Sequence, residues 1–107
     1  MSLDVWLTNE QSVEVFDGNI THNLTKMAKE AGIYFALWRP EEVFIEKAWE
    51  LVHPLSKGFR TLCSDPEHFR TLNPTNGWGT YDHFIEFVGN YLLACIAFPD
   101  ADINVNR

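Results

Sequence analysis

Two short segments carry more polar side chains than turns require: Asn19-Ile20-Thr21-His22-Asn23-Leu24 and Asn76-Gly77-Trp78-Gly79-Thr80-Tyr81. Each stands just ahead of a stretch with helical apolar spacing, so each is predicted at a helix N-terminus. Unpaired N–H groups and the helix dipole attract anions there. If the two ends face each other, His22, Asn23, Trp78, Thr80 and Tyr81 line one pocket. Trp78 and Tyr81 offer flat faces to a ring, and His22 brings an imidazole, the side-chain type whose ordinary titration lies near neutral pH. Arg39, beside Trp38, supplies a cation. The chemistry so assembled is recognition of a nucleotide or another anion, with hydrolysis as an extension. The same residues also have structural uses. Asn19 and Thr80 can cap helices, and Gly77 and Gly79 can supply turn conformations. Trp78 can plug the core as a loop anchor, and His22 can donate to a nearby carbonyl.

Other chemistries have less in the sequence to rest on. The histidines are His22, His53, His68 and His83. No two have the i, i+4 spacing that sets metal ligands on one helix face, and there is no H-E-x-x-H or Cys/His cluster. His83 and Glu86, three apart, are the one weak pair. No metal and no cofactor is expected. No G-x-S-x-G elbow or complete G-x-G-x-x-G loop is present. Cys63 and Cys95 form no C-x-x-C pair and fall among apolar residues, which predicts two buried free thiols. Glu41 and Glu42 follow Pro40, where a helix start favours negative charge.

These residues need elements to hold them. Leu3, Val5 and Leu7 alternate with Asp4, Trp6 and Thr8, and Val13-Glu14-Val15-Phe16 alternates too, which predicts a β-hairpin across Asn9–Ser12. Asp17-Gly18-Asn19 is expected to break its second strand. Leu24, Met27, Ala28 and Ala31 then mark a helix over 20–31, stopped at Gly32. Ile33–Trp38 reads as a buried connection or one helical turn. Pro40 is expected to open a second helix with Ala48, Leu51, Val52 and Leu55 on its inner face, and Pro54 either kinks it or starts another. Ser64-Asp65-Pro66 opens a short helix. Thr80 caps the last one, with Phe84, Val88, Tyr91, Leu92 and Cys95 as its stripe. Ile103 and Val105 alternate in a strand that returns to the hairpin. The expectation is an α+β fold: a small antiparallel sheet, N-terminal hairpin plus C-terminal strand, packed on about four helices.

The 107 residues fit a single domain, 1–107, and 14% aromatic content provides a core without staples. The formal charge is −7, and the eight Lys and Arg are scattered, which argues against direct nucleic-acid binding. A basic protein partner stays compatible with that charge. No N-terminal stretch pairs a charged region with an apolar one, and no apolar run nears the ~20 residues of a membrane span. A cytoplasmic location is expected, with no membrane association.

The segments N-I-T-H-N-L, L-W-R-P (Leu37–Pro40) and N-G-W-G-T-Y, with the Pro99-Asp100-Ala101 close, resemble the signature segments of a family of small bacterial and phage proteins. That resemblance implies no catalytic residue; occurrence in phage-like genomes implies an accessory or host-interaction role. The ending Asn104-Val105-Asn106-Arg107 departs from the Ser-Arg ending such proteins carry. Three functional readings follow. The first is a non-enzymatic binding or interaction domain, acting on a protein partner or by self-association. The second is a small-molecule site for a nucleotide or other anion, or a hydrolase, built from segments 19–24 and 76–81. The third is an acidic mimic of nucleic acid, which the even spread of the fifteen acidic residues disfavours.

Overall fold

A computed structural model of the chain describes residues 1–107. Its sheet is built on β1 (Ser2–Thr8), which pairs antiparallel with β2 (Glu14–Thr21) on one side and β3 (Asp102–Asn106) on the other. The alternation in β1 has its expected consequence. Leu3, Val5 and Leu7 are buried, while Asp4, Trp6 and Thr8 lie on the opposite face. The hairpin turn is organised by Asn9, whose Oδ1 accepts from the N–H groups of Gln11 and Val13, both at 3.0 Å. The returning C-terminal strand is present, so the α+β class stands as expected.

Five helices cover the inner face: α1 (Thr25–Glu30), α2 (Tyr34–Trp38), α3 (Ala48–Ser64), α4 (Pro66–Arg70) and α5 (Tyr81–Ala97). Two 3₁₀ turns, His22–Leu24 and Pro40–Val43, connect them. The core is one cluster of 25 buried residues drawn from sheet and helices alike. No helix is long and apolar enough to cross a membrane.

Four local expectations need correction. Asp17-Gly18-Asn19 does not break β2. Gly18 pairs with Val5 on the inner face, where a Cβ would stand 3.0 Å from Cε1 of Phe87. The glycine admits a ring rather than a turn, and Asp17 and Asn19 simply occupy the outer face. The first helix consequently begins later than residue 20. Thr21 still ends the strand as a cap, its Oγ1 accepting from Asn23 N–H at 3.2 Å. Pro40 opens only a 3₁₀ turn, closed by Phe44 in the left-handed region (φ 60°). The long helix starts at Ala48 instead, because Glu50 reaches back to the N–H groups of Lys47 and Glu46 at 3.0 and 3.1 Å. It then runs through Pro54 without a break; the buried side chains of Leu51, Leu55 and Leu62 outweigh the missing N–H. Finally, only Cys95 is a buried thiol. Cys63 is exposed, because its neighbour Leu62 takes the core position on that turn.

Among the glycines, the tightest approach is between α3 and the Gly32–Ile33 turn. A Cβ on Gly58 would fall 2.2 Å from Cγ2 of Ile33. Replacing Gly58 by Ala improves helix propensity by up to ~1 kcal/mol, yet it overpacks a filled core, which typically costs about 1–3 kcal/mol. Gly58→Ala is expected to lower the melting temperature by several degrees, and a thermal melt that rises instead would contradict this packing.

The fold also has an alkaline limit. Burial pushes the Cys95 thiol up to about 12 from 9.0, and it raises the Tyr91 phenol as well. The Tyr91 hydroxyl has no hydrogen-bond partner, so nothing compensates its burial. Both groups hold their protons in the folded chain and release them more readily when unfolded. The stability this represents is complete below about pH 9 and is lost as pH rises toward 12. Denaturant melts across that window should show the wild type losing stability, with a shallower slope for Cys95→Ala.

Candidate functional site

The two polar segments do meet. Gly79 (φ +95°) lies against the end of β2 so closely that a Cβ would be 2.6 Å from Cγ2 of Thr21 and 3.1 Å from Leu24. The loop between α4 and α5 is fixed by its own side chains. Asn76 Oδ1 accepts from Trp78 N–H at 2.9 Å, Asn73 Oδ1 from Tyr81 N–H at 2.7 Å, and Thr80 Oγ1 from His83 N–H at 3.1 Å. This framework holds the Trp78 ring out in solvent, 71% exposed. Between Trp78, Asn23, Thr21, Asn19 and the Met1–Ser2 strand start lies an open groove of about 430 Å³. No Lys or Arg lines it.

Of the six residues singled out in the sequence, the groove gathers Asn23 and Trp78. The other four are engaged elsewhere. Trp38 Nε1 donates to His22 Nδ1 at 2.8 Å, and the two rings sit 6.1 Å apart, so His22 joins the segment to α2. It accepts from a side chain, where donation to a carbonyl was expected. Arg39 donates from Nε to Tyr34 Oη at 3.2 Å and pairs with Glu42 at 2.7 Å. Tyr34 in turn stacks on Trp38 at 5.7 Å and lies under Lys29 at 4.9 Å. Thr80 is the helix cap. Tyr81 is buried; its hydroxyl donates to the Leu62 carbonyl at 2.6 Å, and Arg70 covers its ring at 5.1 Å.

These placements change the chemistry the segments can offer. Two of the first three N–H groups of α5, those of Tyr81 and His83, already have acceptors in Asn73 and Thr80, so little of that helix end is left to seat an anion. The flat face expected from Tyr81 is spent on packing against Phe69, 6.3 Å away. Trp78 does not plug the core; it stands free at the rim. Asn19, read as a strand breaker or cap, is instead a groove residue, its Nδ2 held by Asp4 at 2.6 Å and Ser2 at 3.0 Å. The signal that would have found it is the 2-residue alternation of Asp17, Asn19 and Thr21 with Phe16, Gly18 and Ile20, in the opposite phase to Val13 and Val15 because the register shifts between Leu7 and Thr8.

Sequence reasoning also left Arg107 without a role. In the structure it donates to the Trp38 carbonyl at 2.8 Å and pairs with Glu41, which ties β3's end to α2. That pairing holds the Glu41 carboxyl below its ordinary range, against the opposing effect of burial, the largest single influence on it.

No protein-family model, curated protein or solved structure matches this chain.

The assignment of Tyr81 to structure is directly testable. Leu62 lies in the last turn of α3, where its carbonyl has no partner within the helix. Tyr81→Phe leaves that carbonyl unsatisfied at a cost of about 1–3 kcal/mol. Urea melts should place the variant below the wild type by that amount; equal stability would show the hydroxyl to be free for another purpose.

Proposed function

We propose that the chain is a non-enzymatic binding domain that engages a protein partner, or a second copy of itself, with Trp78 as an anchor. The observation that carries this reading is the exposure of Trp78 on a loop whose geometry is fixed by Asn73, Asn76 and Thr80. A flexible loop would let an indole fold back onto apolar surface. This one holds it in water, where the free chain gains nothing from it. Tryptophan is enriched among the residues that dominate protein interfaces. Phe44 and Trp49 add further exposed aromatic surface, at 87% and 59%. The charge of −7, and grooves near Trp78 without Lys or Arg, favour a protein over a nucleic acid. Two free cysteines and no disulfide suit a reducing compartment, so we assign the domain to the cytoplasm. The accessory role that the family resemblance implies is compatible with such a domain.

A second reading is favoured by the groove itself. Indole, amide and hydroxyl groups around about 430 Å³ suit a small polar ring. With no Lys or Arg in the lining and the α5 start capped, a neutral ligand fits better than the nucleotide or anion first expected.

The experiment pairs wild type and Trp78→Ala as baits in extract from the source cell, alongside sedimentation of each alone. A solvent-exposed residue should change stability by less than about 0.5 kcal/mol. A partner or dimer present with the wild type and absent with the folded variant is the expected outcome. If neither appears, and a thermal-shift screen of sugars and nucleosides raises the melting temperature only of the wild type, the small-molecule reading replaces the first.

A further inference from the structure

β2 is the outer strand of the sheet, and no backbone group elsewhere in the chain pairs with its far edge. The phase of the ladder follows from His22 N–H, which donates to the Met1 carbonyl at 3.3 Å. Leu3–Ile20 and Val5–Gly18 share that parity, so Ile20 and Gly18 turn their peptide groups toward β1. Asp17 and Asn19 turn theirs outward as an unfilled row of donors and acceptors, while the Thr21 carbonyl is spent on the 3₁₀ turn that it caps.

Grooves flank this row on both sides. One of about 190 Å³ lies between the strand and α5, lined by Asp17 and Gly18 on the strand and by His83, Glu86, Phe87 and Asn90 on the helix. The other, on the outer face of the sheet, is about 610 Å³ and brings in Asp4, Trp6 and Glu14. Asp4, Glu14, Asp17 and Glu86 form no ion pair. No Lys or Arg lines either groove.

We propose that the β2 edge is a docking site for an extended, Lys- or Arg-containing segment of a partner protein, which adds to the sheet as a fourth strand. Backbone pairing along an exposed edge supplies affinity, and alternate side chains supply specificity. Side chains of such a segment would point alternately toward Glu86 on the α5 side and toward Asp4 and Asp17 on the outer side. These three carboxylates then meet cations. A second copy of this chain is disfavoured as the occupant, because edge-to-edge pairing would set Glu14 and Asp17 of each copy against the same residues of the other. The proposal rests on the reading of the chain as an interaction domain, but it centres on Asp17 rather than Trp78.

Fluorescence anisotropy with the full chain tests it, using a labelled, end-blocked Lys-Val peptide that repeats Lys-Lys-Val-Val and so carries Lys on both faces of the strand. The controls are its Glu-Val counterpart and a version N-methylated at alternate peptide groups. Saturable binding of the Lys-Val peptide is expected, weakening as salt is raised. N-methylation should weaken it about tenfold or more, because each lost charge-flanked backbone bond is worth on the order of 1 kcal/mol. The double variant Asp17→Lys/Glu86→Lys, checked for folding by its thermal melt, should weaken it similarly. Absence of saturation at about millimolar peptide, or equal binding of the Glu-Val or N-methylated peptide, overturns the proposal. If that happens while Trp78-dependent capture persists, the edge site alone is lost; if capture fails as well, the interaction-domain reading falls with it.

Discussion

β1 is paired along both of its edges and buried along only one of its faces. That asymmetry constrains everything around it. Leu3, Val5 and Leu7 must be covered, so the helices gather on one side of the sheet. Asp4, Trp6 and Thr8 need no cover, so the other side stays open. The cover is close-fitting at a few points where side chains are absent: Phe87 of α5 sits on Gly18, and Ile33 sits on Gly58 of α3. The Phe16 and Tyr91 rings stack 5.5 Å apart and complete the join between β2 and α5. A core of this kind gains from burial in proportion to area, but its specificity lies in which atoms are allowed to touch.

The polar residues divide into those that hold the frame and those left over. His22, Arg39, Thr80 and Tyr81 all hold it: each has a partner within the chain, and three of the four bind a group in a different element. Asn23 and Trp78 are left over, and so are the carboxylates along β2. What remains unspent faces two adjacent regions of one side of the molecule, with Asn19 common to both.

The sequence made the strands, the returning β3, the Thr80 cap and the apolar stripe of α5 legible, because each is set by local periodicity or a cap. It failed where a residue's role depends on something distant. Gly18 looks like a turn residue until Phe87, far along the chain, is known to lie on it. Pro40 looks like the start of a long helix until Glu50 is seen gripping the N–H groups of Lys47 and Glu46. The candidate site was legible as two segments but not as a set of side chains. Polar residues at helix starts serve caps and ligands equally well, and only the partners of His22, Arg39 and Tyr81 separate the two uses.

The pairing of β1 with β3 joins Asp4 to Asn106 and Thr8 to Asp102. Contacts separated by roughly a hundred residues are entropically expensive to close and tend to form slowly. On the ribosome, the strand at the centre of the finished sheet is therefore an edge until β3 has been made. β2 can pair with it early through the short hairpin, but its other side waits for a segment far along the chain. During that interval the chain exposes a half-paired strand carrying Leu3, Val5 and Leu7, the kind of surface that nascent chains aggregate through and chaperones cover. A molecule whose mature form leaves one edge open has, while it is being born, two.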